Sequence, residues 1–333
     1  MIDPCPAVPG QLIDRLPQGT RAIGQVVTIG SLAHDVTQHI QKGRVTAVFA
    51  RSLYFESDGH WVCMGGADLG RSALTINVRN VGEKKWLDYF PLGTTIAITR
   101  SFIEVAGSPI IALEPLALWS APQLPAWTSK TLKSGLQSLL VLAPSVRLPT
   151  DGLGQYLHED INQITPARVV RAARQSVADL THWLSSARDQ TSESHYVQRA
   201  VSGLIGLGPG LTPAGDDFLA GVLVALALCH RWGQHRCLAT AVAAQLERTG
   251  PVSRAHLKDE VIGEGGEVLH ATLTELVTGD HARLARALVD IDRTGHSSGW
   301  DTLAGAILVM RHLVQTGIMR GWHRSETVLV GVC

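Results

Sequence analysis

The segment Phe218–Cys229, FLAGVLVALALC, carries no charge, and its only polar atom is the thiol at its end. A helix that is apolar on every face has to be surrounded, either by other elements or by lipid. A membrane span needs about 20 such residues, and this run stops at His230 and Arg231. It therefore predicts a central buried helix, and a helical domain large enough to wrap it. The chain has room for that: 333 residues, 45% of them hydrophobic, suit about two domains with real cores.

What precedes the run is as restrictive. Gly206–Gly221 reads GLGPGLTPAGDDFLAG. Gly206, Gly208 and Gly210 alternate, which opens backbone angles closed to other residues. Thr212 suits a helix cap and Pro213 a first helical position. Asp216 and Asp217 follow in the first turn. Two readings fit. One is a well-capped core helix, which accounts for Thr212 and Pro213. The other is an anion cradle, in which free amides at a helix start meet a ligand through glycines. The second also accounts for the three glycines, whose ordering costs entropy. Gly206, Gly208, Gly210, Leu211, Thr212 and Gly215 are thus candidate binding residues. Two carboxylates would repel a phosphate placed there. Either they point away, or they act on another part of the substrate, or a cation such as Mg²⁺ lies between. In the last case Asp216 and Asp217 are the metal ligands.

A second segment separates the two acids. Gly299–Gly305, GWDTLAG, echoes Gly215–Gly221, GDDFLAG. Asp217 aligns with Asp301 and Gly221 with Gly305, whereas Asp216 aligns with Trp300. In each copy the Asp and the later Gly are four residues apart, hence on one helix face. The glycines would let two helices cross closely, with Asp217 and Asp301 at a shared mouth. Asp217, Asp301 and, after them, Asp216 are the candidate catalytic acids; a capping role for Asp301 fits as well. The small polar residues His296, Ser297 and Ser298 stand before the second copy as the glycine loop stands before the first, and join the candidate binding set. Between the copies, Thr249–Gly266 reads as a polar turn between helices, although Thr249, Ser253 and Arg254 could serve a ligand. His256 and His270 lack the spacing of a zinc pair.

The fold class is α+β. A β-rich domain over 1–120 holds Ala22–Ile29, Val45–Glu56, Ala73–Val78 and Thr94–Val105, separated by turn residues such as Asp58-Gly59. No long crossover separates these strands, so antiparallel pairing is expected. A proline-rich connection over 121–165 carries one short helix near Thr131–Val141. The α-helical domain covers 166–333. Its first helix is capped by Thr165-Pro166 and buries Val169, Val170, Ala173, Val177, Leu180, Trp183 and Leu184. Thr327–Val330 is β-prone.

Twenty-nine basic residues balance 29 acidic ones. That argues against a nucleic-acid partner and against electrostatic docking on a membrane, and suits a subunit of an assembly. Five scattered cysteines, with no CxxC, fit a reducing compartment. The N-terminus lacks the basic end and apolar run of a signal peptide. A cytoplasmic location is expected.

GLGPGLTPAGDDFLAG followed by GHSSGWDTLAG resembles the signature of the AllH family, one of three subunits assigned to oxamate carbamoyltransferase in allantoin degradation, a branch of purine catabolism. VTAVFARSLYFE and LGRSALTINV resemble its N-terminal blocks, with Ser72-Ala73 where the family has a Gly-Pro pair. The resemblance covers most of 40–315. It implies phosphorolysis of oxalurate to oxamate and carbamoyl phosphate, or the reverse, within a hetero-oligomer of carbamoyltransferase subunits. The ligands would be a small anionic ureide, phosphate or carbamoyl phosphate. The loop would supply donors to the transition-state oxygen, with Asp217 orienting a nitrogen or a metal. It implies no certain cofactor. Two other functions fit the residues: a metal-dependent hydrolase of an amide or ureide, and a non-catalytic scaffold that binds a small anion.

Overall fold

The computed structural model describes residues 22–79, 86–113, 117–145, 148–158, 167–185 and 194–316. Thr165-Pro166 and Thr327–Val330 lie outside them. Contacts divide the chain into two compact units, Met1–Ala121 and Pro122–Cys333.

The first unit is a nine-stranded sheet. Its strands are β1 (Gly24–Gly30), β2 (Gln41–Val48), β3 (Ser52–Ser57), β4 (His60–Gly66), β5 (Thr75–Arg79), β6 (Thr95–Ile98), β7 (Phe102–Val105), β8 (Ser108–Ala112) and β9 (Ala117–Trp119). The order is β5-β4-β3-β2-β6-β7-β8-β1-β9, and β5 also pairs with β1. The sheet thus closes on itself, which removes the exposed edges a flat sheet would carry. Its interior is filled by Ile29, Leu53, Phe55, Met64, Ile76 and Ile96, all fully buried. Two short helices, α1 (Ser31–Thr37) and α2 (Trp86–Tyr89), complete the unit.

Two expectations need correction. Val45–Glu56 and Thr94–Val105 are each two strands folded into a hairpin. The Phe49 amide donates to the Ser52 carbonyl at 2.7 Å, and the Thr99 amide to that of Phe102 at 2.9 Å. The reversals contain Ala50-Arg51 and Arg100-Ser101, with no Gly or Pro to mark them. Pairing is also not purely antiparallel: β4–β5, β1–β8 and β1–β9 are parallel. The turn at Ser72-Ala73 packs tightly on β1. A Cβ at Gly30 would overlap both carbonyl oxygens of that turn.

The second unit contains α3 (Ser129–Leu142), α4 (Arg168–Ser185), α5 (Ser194–Leu204), α6 (Ala214–Leu228), α7 (Trp232–Ala243), α8 (Pro251–Val261), α9 (Glu267–Thr278), α10 (His281–Asp292) and α11 (Ser298–Thr316). The proline-rich stretch contributes α3 to this unit. Thr128 and Thr131 form a reciprocal capping box at its start, and Leu132 and Leu139 reach the core. The face of α4 read from its periodicity is its buried face. The apolar run forms α6, buried on nearly every side.

Helices α6 and α11 cross at their glycines. A Cβ at Gly221 would overlap the carbonyl oxygen of Thr302 and crowd the Ala306 amide. A Cβ at Gly305 would overlap the carbonyl oxygen of Phe218 and crowd the Val222 amide. Under the alignment of the two copies, Phe218 corresponds to Thr302 and Val222 to Ala306. The two sets of contacts therefore exchange into each other, and the echo in sequence is a local two-fold relation in space. Both copies also start alike. Gly215 and Gly299 each sit against a carbonyl near the end of the preceding helix, Leu204 and Ile291 respectively.

Candidate functional site

The first copy's loop runs from the end of α5 to the start of α6. Its glycines adopt positive φ: +73° at Gly206, +120° at Gly208 and +98° at Gly210. This conformation favours glycine. The loop lies at the surface, with Leu211 55% exposed.

The N-cap of α6 is Pro213, and no side chain caps it. Thr212, expected as the cap, instead hydrogen-bonds the hydroxyl of Ser298 at 2.8 Å. That contact ties the first loop to the start of α11 and builds the shared mouth. Three of the first-turn amides of α6 are already used. Gly215 donates to the Leu207 carbonyl at 2.8 Å, and Asp216 and Asp217 donate to that of Pro213. Among the described residues, the amides of Gly208, Gly210, Leu211, Thr212 and Ala214 have no acceptor. The donors left for an anion thus lie mostly on the glycine loop, with Ala214 at the helix start.

The two adjacent acids have different partners. Asp216 is buried and accepts from the Gly206 amide at 2.7 Å, from the Ser253 hydroxyl at 2.7 Å and from the Thr249 hydroxyl. It pins the loop and the start of α8 to α6. Thr249 and Ser253, considered for a ligand, serve this anchor. Arg254 pairs with Glu247 at 2.6 Å and donates to the Thr249 carbonyl.

Asp217 faces the mouth. Burial first, then hydrogen bonds from Ser298 and Thr212 and the nearby Asp301 and Asp216, set its proton affinity, and the net effect holds its carboxyl well above the usual range. Its Oδ2 is buried with no hydrogen-bond partner among the described residues. Asp301 is fully buried, and its Oδ1 accepts the Leu153 and Gly154 amides at 2.5 and 3.1 Å. Burial raises its pKa to about 6 against hydrogen bonds from Ser297, Leu153 and Gly154. Its free oxygen, Oδ2, is also unpartnered. His296 stays exposed beside Asp151 at 3.2 Å. The structure thus brings Thr212, Asp217 and Ser298 together, gives Asp216 and Asp301 anchoring contacts, and leaves His296 at the rim.

Most of Thr249–Gly266 is helix α8 rather than the expected turn, and α8 brings in two more acids. Asp259 and Glu260 are buried, and both oxygens of Asp259 and the Oε2 of Glu260 lack partners. Burial, then Asp259 and Asp217, push Glu260 well above its ordinary value. The available signal was Gly250-Pro251, a helix start with proline at its first position. Among the described residues, no group of three or more His, Cys, Asp or Glu is arranged to hold a metal ion. Of the two acids read as Mg²⁺ ligands, Asp216 spends both oxygens on protein donors, and Asp217 keeps an unpartnered oxygen among the described residues.

The buried acids carry a testable cost. Glu260→Gln should raise the melting temperature at pH 7 by a few degrees, at about 2–4 °C per kcal/mol for a unit of this size. The neutral amide removes a carboxyl whose charged form burial disfavours. The sign follows from linkage. A carboxyl whose folded pKa is raised is no burden below its unfolded value near 4.5, and lowers stability as pH rises through its folded value. The gain over wild type should therefore shrink toward pH 4.5. Melting curves from pH 4.5 to 8 measure it, and a gain that grows on acidification would contradict the assignment.

Residues 204–310 match the family model of the oxamate carbamoyltransferase subunit AllH. The match starts at the last residue of α5 and ends within α11, so it spans both copies of the repeat and the helices between them. Over this stretch the chain is AllH-like. No curated protein and no solved structure matches the chain. No described helix is long and apolar enough to cross a membrane.

Proposed function

We propose, from the AllH-like character of the helical unit, that this chain is a subunit of a carbamoyltransferase acting on a small anionic ureide. The reaction is oxalurate plus phosphate to oxamate plus carbamoyl phosphate, or its reverse. A phosphate oxygen attacks the carbamoyl carbon, the bond from that carbon to the oxamate nitrogen breaks, and the nitrogen takes a proton. The observation that carries this reading is the AllH match across the whole mouth.

The chemistry of the mouth supports it. Both substrates are anionic, and the free loop amides from Gly208 to Thr212 suit an anion or a developing oxyanion. The departing nitrogen needs a proton. Burial holds the proton affinity of both Asp217 and Glu260 well above the ordinary carboxyl range, so an acid of this pair suits the delivery of that proton. No covalent nucleophile is required, because phosphate attacks directly. The other subunits of the assembly complete the enzyme.

The test is carbamoyl phosphate formation from oxalurate and phosphate, measured with this chain and the proteins encoded beside it, together and separately. The expected result is activity in the mixture that is lost when this chain is omitted. No activity in the mixture over several ureides overturns the proposal.

A further inference from the structure

The local two-fold relation between α6 and α11 lets one aspartate be read by the other. Asp301 and Asp217 occupy the same position in the two copies, four residues before the crossing glycine. On Asp301 a single oxygen, Oδ1, accepts two successive amide N–H groups, those of Leu153 and Gly154. The segment that brings them fits closely. A Cβ on Gly152 would stand 2.5 Å from that oxygen and 2.9 Å from Cβ of Ser297. The chain itself fills this seat with an edge of two N–H donors.

On Asp217 no segment does so. The Ser298 and Thr212 hydroxyls lower the proton affinity of its carboxyl, yet its Oδ2 is shielded from water and lacks a donor among the described residues. Glu260, on whose proton affinity the Asp217 charge acts, is nine-tenths buried, with Oε2 equally unpartnered among the described residues. A buried acceptor left without a donor is costly, and the amides of the neighbouring loop are free for the anionic end of the same ligand.

We propose that Asp217 recognises N–H groups on one edge of the ligand, as Asp301 recognises those of Leu153 and Gly154. The site then takes a small anion bearing a primary amide or ureido group, and rejects a dicarboxylate or a fully N-alkylated amide of similar size. This assigns Asp217 to substrate specificity. It rests on the proposed ureide chemistry only for the choice of ligand.

The probes are oxamate, oxalate and N,N-dimethyloxamate. They share a carboxylate and a two-carbon frame, but only oxamate carries N–H donors. Calorimetry on the full chain, alone and with its partner subunits, gives the affinities. Wild type should prefer oxamate by about tenfold or more, the worth of one hydrogen bond to a buried carboxyl. In Asp217→Ala the preference should fall to near one. Asp217→Asn, which keeps the shape, serves if the alanine variant does not fold, and should reduce the preference at least threefold. Equal binding of the three by wild type, a preference unchanged in the variants, or no binding of any probe with partners present overturns the inference. An assembly that turns over oxalurate without N–H preference overturns this inference alone. An assembly that prefers oxamate yet turns over no ureide overturns the proposed reaction alone.

Discussion

Gly221→Val should abolish stable folding of the helical unit, with a loss of about 4 kcal/mol or more. The two effects in play differ in size and sign. Neither Gly221 nor Gly305 has a positive φ, so replacing glycine within a helix gains up to about 1 kcal/mol of propensity. Against that, a Cβ at Gly221 overlaps the Thr302 carbonyl oxygen. That atom is helix backbone and cannot turn aside as a side chain would. The helices must separate along α6, which is buried on nearly every side, and overpacking of this kind costs several times the propensity gain. Gly305→Val should do the same, because the contact is reciprocal. The double variant should cost less than the sum, since one separation relieves both overlaps. Urea titration followed by circular dichroism measures all three. A single variant within 1 kcal/mol of wild type would show that the crossing is not tight.

Much of this unit is legible in the sequence. The apolar run marks α6 because a helix buried on all sides shows no polar stripe. The echo at Gly299–Gly305 marks the crossing, because only glycine admits a backbone so close. It also separates Asp217, which recurs, from Asp216, which does not. What escapes is tertiary. Helix α8 buries Ser253, Asp259 and Glu260, so its polar letters hide its inner face from any apolar periodicity. The donors on Asp301 come from Leu153 and Gly154, nearly half the chain away, and no local pattern reports them. Thr212 has the chemistry of a cap, but Ser298 competes for its hydroxyl. In the β unit, the reversals at Ala50-Arg51 and Arg100-Ser101 carry no glycine or proline, so each hairpin reads as one long strand.

The adjacent acids should answer to substitution in opposite ways. Asp216→Ala removes the acceptor shared by the Gly206 amide and the Thr249 and Ser253 hydroxyls. Two of those donors lie on buried residues and would be left without a partner, so the loss should be about 3–5 kcal/mol. Activity should fall with the folded fraction, because the loop and α8 are no longer held to α6. Asp217→Asn should leave melting unchanged or raise it slightly. It removes a carboxyl that burial already disfavours as an anion. Its effect belongs in the reaction. Without this acid to deliver a proton, kcat/KM for oxalurate phosphorolysis should drop about 10²–10³-fold, the usual scale for a lost proton-transfer group. The pH profile of the residual activity should lose the limb that belongs to Asp217. Melting and steady-state rates of the reconstituted enzyme, on both variants, read the two effects separately. If Asp217→Asn retains full activity with an unaltered pH profile, the mouth is a binding scaffold and the chemistry lies on a partner subunit.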